Sequence, residues 1–335
     1  MLIITNCMTE TSDEGCLKVA VSLVKRLKKA YQDNATVISY ERKSELSDIF
    51  MNLNPMFLNS SLLRKVKKQK DILFIPFGSN TLASAVKLCV LSLFCKGEVT
   101  AIFALRHPMN FLTKLLLKLS RTRIVTLSRD SYEFYFEFLG DRVEYLKVGV
   151  DTKRFVPVTA EKSCELKIKY GFEPQKNLVL HVGHLNSGRN VEELSKISDE
   201  YSVLLVTSTL TKAEQDIEIK NKLINLGVKI FDFYIPEIEE IFQMCDAYFF
   251  PVIKQEHCID VPLSCMEAAA CNKPVITTNY GEMKEVITKE GFYLIESFEE
   301  ENINSLLKKS IENKAETRAV AIEYDWDNAL DFFKF

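Results

Sequence analysis

The alternation of apolar and polar positions divides the chain into short β-branched runs separated by longer amphipathic ones. In the first half, MLIITNC, ATVISY, DILFIPF, EVTAIFA and RIVTLS read as strands. Each is apolar almost throughout, as expected of strands buried on both faces. Between them lie runs with helical spacing: LKVAVSLVKRLKKA follows a loop at Gly15, and LASAVKLCVLSLF follows DILFIPF. The second half repeats the rhythm. NLVLHVG, YSVLLVT, VKIFDF, AYFFPV, PVITT and FYLIE read as strands, with NVEELSKIS, KAEQDIEIKNKLINLG and PEIEEIFQMC as helices between them. Strands alternating with helices predict an α/β protein of two doubly wound, Rossmann-like domains, joined near VGVDTKRFVPV. Ligands of such sheets bind beyond the carboxyl ends of the strands, so a cleft faced by the two domains is the expected site.

Composition narrows the class. The 335 residues suffice for two domains, and 47% hydrophobic with 27% charged residues is a soluble globular composition. The opening MLIITNCMTE has no basic leader or cleavage site and reads as a strand, so no secretory signal is expected. LCVLSLFC falls far short of the ~20 apolar residues that a spanning helix needs. Nine cysteines without a CxxC pair point to a reduced, cytoplasmic setting rather than a disulfide framework or zinc ribbon. The net charge of −3 hides an asymmetry, +8 over residues 1–150 and −11 over the remainder. GxGxxG and Walker-A loops are both absent, so a dehydrogenase or a P-loop enzyme has no support, and no nucleic-acid partner is expected.

Two loops carry candidate chemistry. In VGHLNSGRNVEEL a strand ends at Gly183 and a helix is expected to start near Asn190, with Arg189 just ahead of it. Free amides, a helix dipole and a guanidinium together hold a phosphate or diphosphate; the plainer reading is a capped turn with a solvated arginine. In VPLSCMEAAACNKPVITT, a small apolar helix carries one carboxylate, Glu267. A charge among alanines and cysteines needs a partner, either structural or a ligand.

These stretches resemble retaining glycosyltransferases of the GT-B fold, the family 4 (group 1) enzymes. GVDTKRFVP is similar to the family's interdomain signature, VGHLNSGRN to its donor-phosphate loop, and PLSCMEAAACNKPVI to its nucleotide-binding block. The resemblance implies an acceptor-binding domain over residues 1–148, a linker over 149–160 and a nucleotide-sugar-binding domain over 161–322. It further implies a C-terminal helix over 323–335 that crosses back to the first domain. Glu267 would bind the ribose hydroxyls, and amides near Leu263 and Ser264 the diphosphate. Gly15, Gly183, His184 and Arg189 would line the donor phosphates, with His184 where the family has arginine. Arg189, His107 and Asp260 would be the catalytic residues. The family's sugar-contacting glutamate is replaced by Ile259, leaving Asp260 or Glu256 to reach the sugar. Ser128 matches a family serine and equally suits a helix N-cap.

The implied reaction is transfer of a hexose from a nucleotide-diphosphate sugar to a hydroxyl of a glycan or polyprenyl-linked acceptor, with retention, in cell-surface polysaccharide or glycoconjugate synthesis. The rivals are a sugar-nucleotide epimerase on the same scaffold and a degenerate binding protein. No metal or other cofactor is expected: His181 and His184 lack partners at zinc spacing, and Asp325 and Asp327 of the DWD triplet suit a helix cap. Finally, RKVKKQK and NFLTKLLLKLSRTR concentrate the positive charge of the first half. Arg106, Lys114, Lys118, Arg121 and Arg123 form a candidate acceptor or membrane face that would suit an anionic membrane surface.

Overall fold

The structure, a computed structural model, describes residues 1–8, 14–209, 215–254, 258–313 and 315–333. Its contacts divide the chain into two units: Met1–Val148 with Ile259–Val261 and Trp326–Phe335, and Gly149–Cys258 with Pro262–Asp325.

The first unit is built on strands β1 (Leu2–Thr5), β2 (Thr36–Ser39), β3 (Ile49–Phe50), β4 (Asp71–Ile75), β5 (Glu98–Phe103), β6 (Arg123–Thr126) and β7 (Val143–Tyr145). They form one parallel sheet in the order β3-β2-β1-β4-β5-β6-β7. β1 is central, with Ile4 registered against Ile38 on one side and Phe74 on the other, which is why all four of its residues are apolar or buried. Helices α1 (Gly15–Tyr31), α2 (Ser60–Val66), α3 (Leu82–Phe94), α4 (Phe111–Ser120) and α5 (Arg129–Leu139) connect the strands. Leu62, Val66, Leu88, Leu91, Leu117 and Tyr135 of α2 to α5 share one core with Ile4, Phe74 and Phe103 of the sheet.

The second unit repeats the plan with β8 (Leu178–Val182), β9 (Ser202–Val206), β10 (Lys229–Phe231), β11 (Ala247–Phe250), β12 (Val275–Thr277) and β13 (Phe292–Leu294), in the order β10-β9-β8-β11-β12-β13. Its helices are α6 (Ala160–Lys169), α7 (Ile217–Asn225), α8 (Ile238–Met244), α9 (Leu263–Ala270), α10 (Met283–Val286), α11 (Glu300–Glu312) and α12 (Thr317–Ile322). Asp246, ahead of β11, accepts from Lys167 of α6 at 2.7 Å and from the Leu178 amide at 2.7 Å, tying helix to sheet. Removing either member would strand a charge of which little is exposed, a loss of about 3–5 kcal/mol.

The last helix, α13 (Asn328–Phe332), packs on α1 in the first unit. Asp327 pairs with Arg26 at 2.9 Å, and Trp326 is buried. The DWD aspartates therefore have structural work. Asp327 sits at the start of α13 without making a side-chain cap, and Asp325 accepts from the Thr152 amide at 2.9 Å.

Two sequence expectations change. β3 and β7 are two and three residues long, too short to stand out as apolar runs. NVEELSKIS is not an α-helix: residues Ser187–Arg189 and Val191–Lys196 form 3-10 turns, separated by Asn190 at φ 56°. A left-handed residue cannot continue a right-handed helix, and the Asn190 side chain instead donates to Pro251 O at 3.3 Å.

Candidate functional site

In both sheets the strand order reverses once, between β1 and β4 and between β8 and β11. The second reversal collects most of the candidate donor-binding residues. β8 ends in His181, Val182 and then Gly183, and β11 supplies Tyr248, Phe249 and Phe250 beside it.

His181 is wholly buried between the rings of Tyr248 and Phe250, stacked at 6.3 and 6.2 Å, and its Nδ1 lies 2.8 Å from Phe249 O. A carbonyl only accepts, so Nδ1 carries the proton and Nε2 is left bare. Nε2 has no hydrogen-bond partner among the described residues. Burial, together with the positive charge of Arg189, pushes the imidazole down to about 4. It is therefore neutral near pH 7.

Arg189 reaches the same place from the other side of the loop. Asn186 fixes its backbone, the side-chain oxygen accepting from the Arg189 amide at 3.1 Å. A Cβ placed on Gly183 would lie 2.9 Å from His181 Nε2 and 3.2 Å from Arg189 Nη1, so only glycine leaves room between them. Arg189 is 8% exposed, its Nε has no partner, and no carboxylate pairs with it among the described residues. A guanidinium so buried and unpaired is costly unless an anion from outside completes it.

The third wall is α9. The positive charge of Arg189 is felt at Tyr248 and at Cys265 of α9, and the Tyr248 hydroxyl bridges the Val182 amide and carbonyl at 3.2 Å. α9 begins after Pro262 with no side-chain cap, which leaves the first-turn amides, Leu263 and Ser264 among them, available to an acceptor. Glu267 is one turn further on the same face, at three and four residues' spacing, and is 2% exposed. The dipole expected ahead of Asn190 is thus supplied by α9 rather than by the 3-10 turns after Arg189. His184 is half-buried in the same loop.

The remaining candidates lie in the first unit. Gly15 opens α1, where the Glu14 carboxylate caps the Leu17 amide at 3.0 Å. The space beside Gly15 is taken by Ile259, whose Cδ1 would lie 3.1 Å from an added Cβ. Asp260, 1% exposed, accepts the Ser131 hydroxyl bond, and its amide donates to Ala104 O at 3.1 Å. Ser128 caps α5, accepting from the Ser131 amide at 3.2 Å. His107 is half-buried beyond β5, with its backbone clasped by Asn80 at 2.7 and 2.8 Å. Glu256 lies outside the described residues.

The basic face is smaller than expected. Arg106 lies over the Phe134 ring at 5.0 Å and donates to Asp130 O at 3.2 Å. Arg123 pairs with Glu98 at 3.2 Å and Glu144 at 2.8 Å. Neither is free to join Lys114, Lys118 and Arg121, which are exposed. Among the described residues no group of His, Cys, Asp and Glu could hold a metal ion. His181 as a wall of the site, rather than a partner of His184, was not foreseen; its place as the one polar residue within the strand LVLHV was its only signal.

Comparison with known proteins bears on the fold and on the second unit's sequence. Residues 163–325 match the sequence profile of the family described as Glycosyl transferases group 1. No curated protein matches the chain in sequence. Among solved structures, a glycosyltransferase from Rickettsia africae superposes with a TM-score of 0.77 at 17% identity, over 99% of this chain and 96% of that one. HepE from Anabaena, solved with UDP-glucose, gives 0.75 at 13% identity, over 99% and 98%. WaaG, a glycosyltransferase involved in lipopolysaccharide biosynthesis, gives 0.64 at 14%, over 98% and 95%. The chain has the GT-B fold, and its second unit carries the resemblance to group 1 glycosyltransferases.

Proposed function

We propose that the protein transfers a hexose from a nucleotide-diphosphate sugar to a hydroxyl of a glycan or lipid-linked glycan, with retention of anomeric configuration and without a metal. The observation that carries this reading is Arg189, buried and without an acid among the described residues, at the Gly183 gap beside the uncapped start of α9. That combination offers a diphosphate one guanidinium and several amides. Glu267 suits the paired hydroxyls of a ribose, since a carboxylate accepts two at once. The group 1 match over residues 163–325 and the likeness to HepE support the same donor class.

In the reaction the bond from the anomeric carbon to the diphosphate oxygen breaks, and its electron pair stays with the diphosphate. Arg189 and the α9 amides oppose that growing charge, usually the largest electrostatic contribution to catalysis. The acceptor oxygen bonds to the anomeric carbon on the same face, and its proton passes to the departing phosphate oxygen. His181, held near 4, is too weak a base for this proton.

Incubation with isotopically labelled sugar nucleotides, with and without acceptor glycans, tests the reading. A new glycoside of unchanged anomeric configuration, formed in the presence of EDTA, is the expected product. An epimer formed without acceptor would replace it with the epimerase reading. One observation favours a binding protein without turnover: Ile259 stands where the family's sugar-contacting glutamate belongs, and it packs against Gly15. Tight donor binding with no product from any acceptor would establish that alternative.

A further inference from the structure

Helix α4 is inside out. Its buried positions are Thr113, Leu117 and Ser120, two of the three polar, whereas Phe111, Leu112, Leu115 and Leu119 face solvent. Phe111 is 81% exposed and Leu119 64%. α3 lies alongside: Cys89 Sγ is 3.2 Å from Leu116 O, and Ser92 Oγ is 3.1 Å from Thr122 Oγ1. Leu93, the next residue of α3, is 79% exposed and extends the apolar strip past the end of α4. Scattered surface leucines need no explanation, but a helix that turns its apolar face outward does.

Charge identifies the occupant. Lys114, Lys118 and Arg121 stand exposed among these apolar side chains. No aspartate or glutamate occurs between Glu98 and Asp130, a stretch with six Lys and Arg residues. A second basic run adjoins it: Lys67, which follows α2, lies over the ring of Phe94, the neighbour of Leu93, at 5.1 Å. Lys68 and Lys70 of the same run are exposed. Lys114 also lies over the rings of Phe134 and Phe138 on α5, at 5.9 and 5.6 Å. An apolar strip bordered by cations, on a helix without a carboxylate of its own, fits neither water nor an acidic protein groove as well as it fits a lipid bilayer with anionic headgroups. There the rings and leucines enter the acyl boundary and the ammonium groups meet phosphates.

We infer that the exposed face of α4, with Leu93 and the neighbouring lysines, is a docking surface for an anionic membrane. The protein binds there peripherally; among the described residues no helix is long and apolar enough to cross a membrane. Lipid binding and donor turnover are measured separately, so failure of one leaves the other standing.

The test is co-sedimentation with phosphatidylcholine vesicles and with vesicles that also contain phosphatidylglycerol, at low and high salt. Binding should require the anionic lipid and fall as salt rises. Replacing Lys114, Lys118 and Arg121 by Gln, or Phe111 and Leu119 by Ser, should each weaken it by about tenfold or more. All five positions are exposed, so the melting temperature should hold. In Phe111→Trp the added indole should shift its emission to the blue with anionic vesicles only, whereas Trp326 is buried and insensitive. Protein that stays in the supernatant, or variants that sediment like the wild type, would overturn the inference. So would concentration-dependent self-association abolished by Phe111→Ser, which would make a second copy the occupant.

Discussion

The carboxyl edges of the two sheets are built from one topology and end in opposite states. In the first unit the charged groups at that edge have partners within the protein: Glu14 caps α1 and Asp260 takes the Ser131 hydroxyl, Ile259 fills the space at Gly15, and the polar atom left over nearby is a neutral one, the Tyr135 hydroxyl. In the second unit demands are left over among the described residues: Arg189 has no acid, His181 Nε2 has no donor, and α9 starts without a side-chain cap. Native interiors satisfy nearly all buried polar groups, so a cluster of exceptions marks a place kept for a ligand. Strand order thus supplies a location in both units, and among the described residues a buried guanidinium without an acid singles out the second.

The comparison breaks first at Arg189. Arg189→Ala should lower turnover by about 100-fold or more, and donor affinity by less, because leaving-group charge grows toward the transition state. Steady-state kinetics in which kcat falls by a larger factor than KM rises would match; a change confined to KM would not. Glu267→Gln should weaken donor binding about tenfold or more by calorimetry, since the amide loses one acceptor at constant volume. An unchanged affinity with a collapsed melting temperature would instead make Glu267 structural.

His181 offers a pH test. Its folded value, about 4, lies below the ordinary 6.5, so the unfolded chain binds the proton first as pH falls. Stability is therefore complete above pH 6.5 and drains away toward pH 4, by about 1 kcal/mol between pH 6.5 and 5.5. Denaturant titrations of the wild type and His181→Phe over that interval should differ in slope by this amount.

The smallest effect contrasts two glycines. Gly183→Ala puts a methyl group against His181 and Arg189 and should cut donor affinity about fivefold. Gly15→Ala meets only the Ile259 side chain, at 3.1 to 3.4 Å, which has to yield by a few tenths of an ångström, and should leave affinity within about twofold of wild type. Equal losses at both would erase the distinction between the two edges.

Periodicity made most of this legible. Every run read as a strand contains one, because a parallel strand covered on both faces has to be apolar throughout. β3 and β7 were invisible because pairing with a neighbour, not composition, makes so short a segment a strand. The 3-10 turns after Arg189 were misread as a helix because NVEELSKIS has good helical spacing, and Asn190's backbone conformation is not a property of that spacing. Glu267 could be found as a lone charge in an apolar helix. The Gly183 gap could not, since it exists only where β8, β11 and the loop bearing Arg189 converge. α4 shows the limit of pattern most plainly: its apolar and basic positions were evident, but only the packed structure says which face looks outward.

The most direct test of the account is the affinity gap between a nucleoside diphosphate and the bare nucleoside, measured by calorimetry for UDP against uridine and GDP against guanosine. If Arg189 and the start of α9 hold the diphosphate, the preferred diphosphate should bind the wild type at least about 100-fold more tightly than its nucleoside. In Arg189→Ala most of that gap should vanish while nucleoside affinity stays the same. A gap of equal size in the wild type and in Arg189→Ala would contradict the account, because the buried guanidinium would then have no anion to answer.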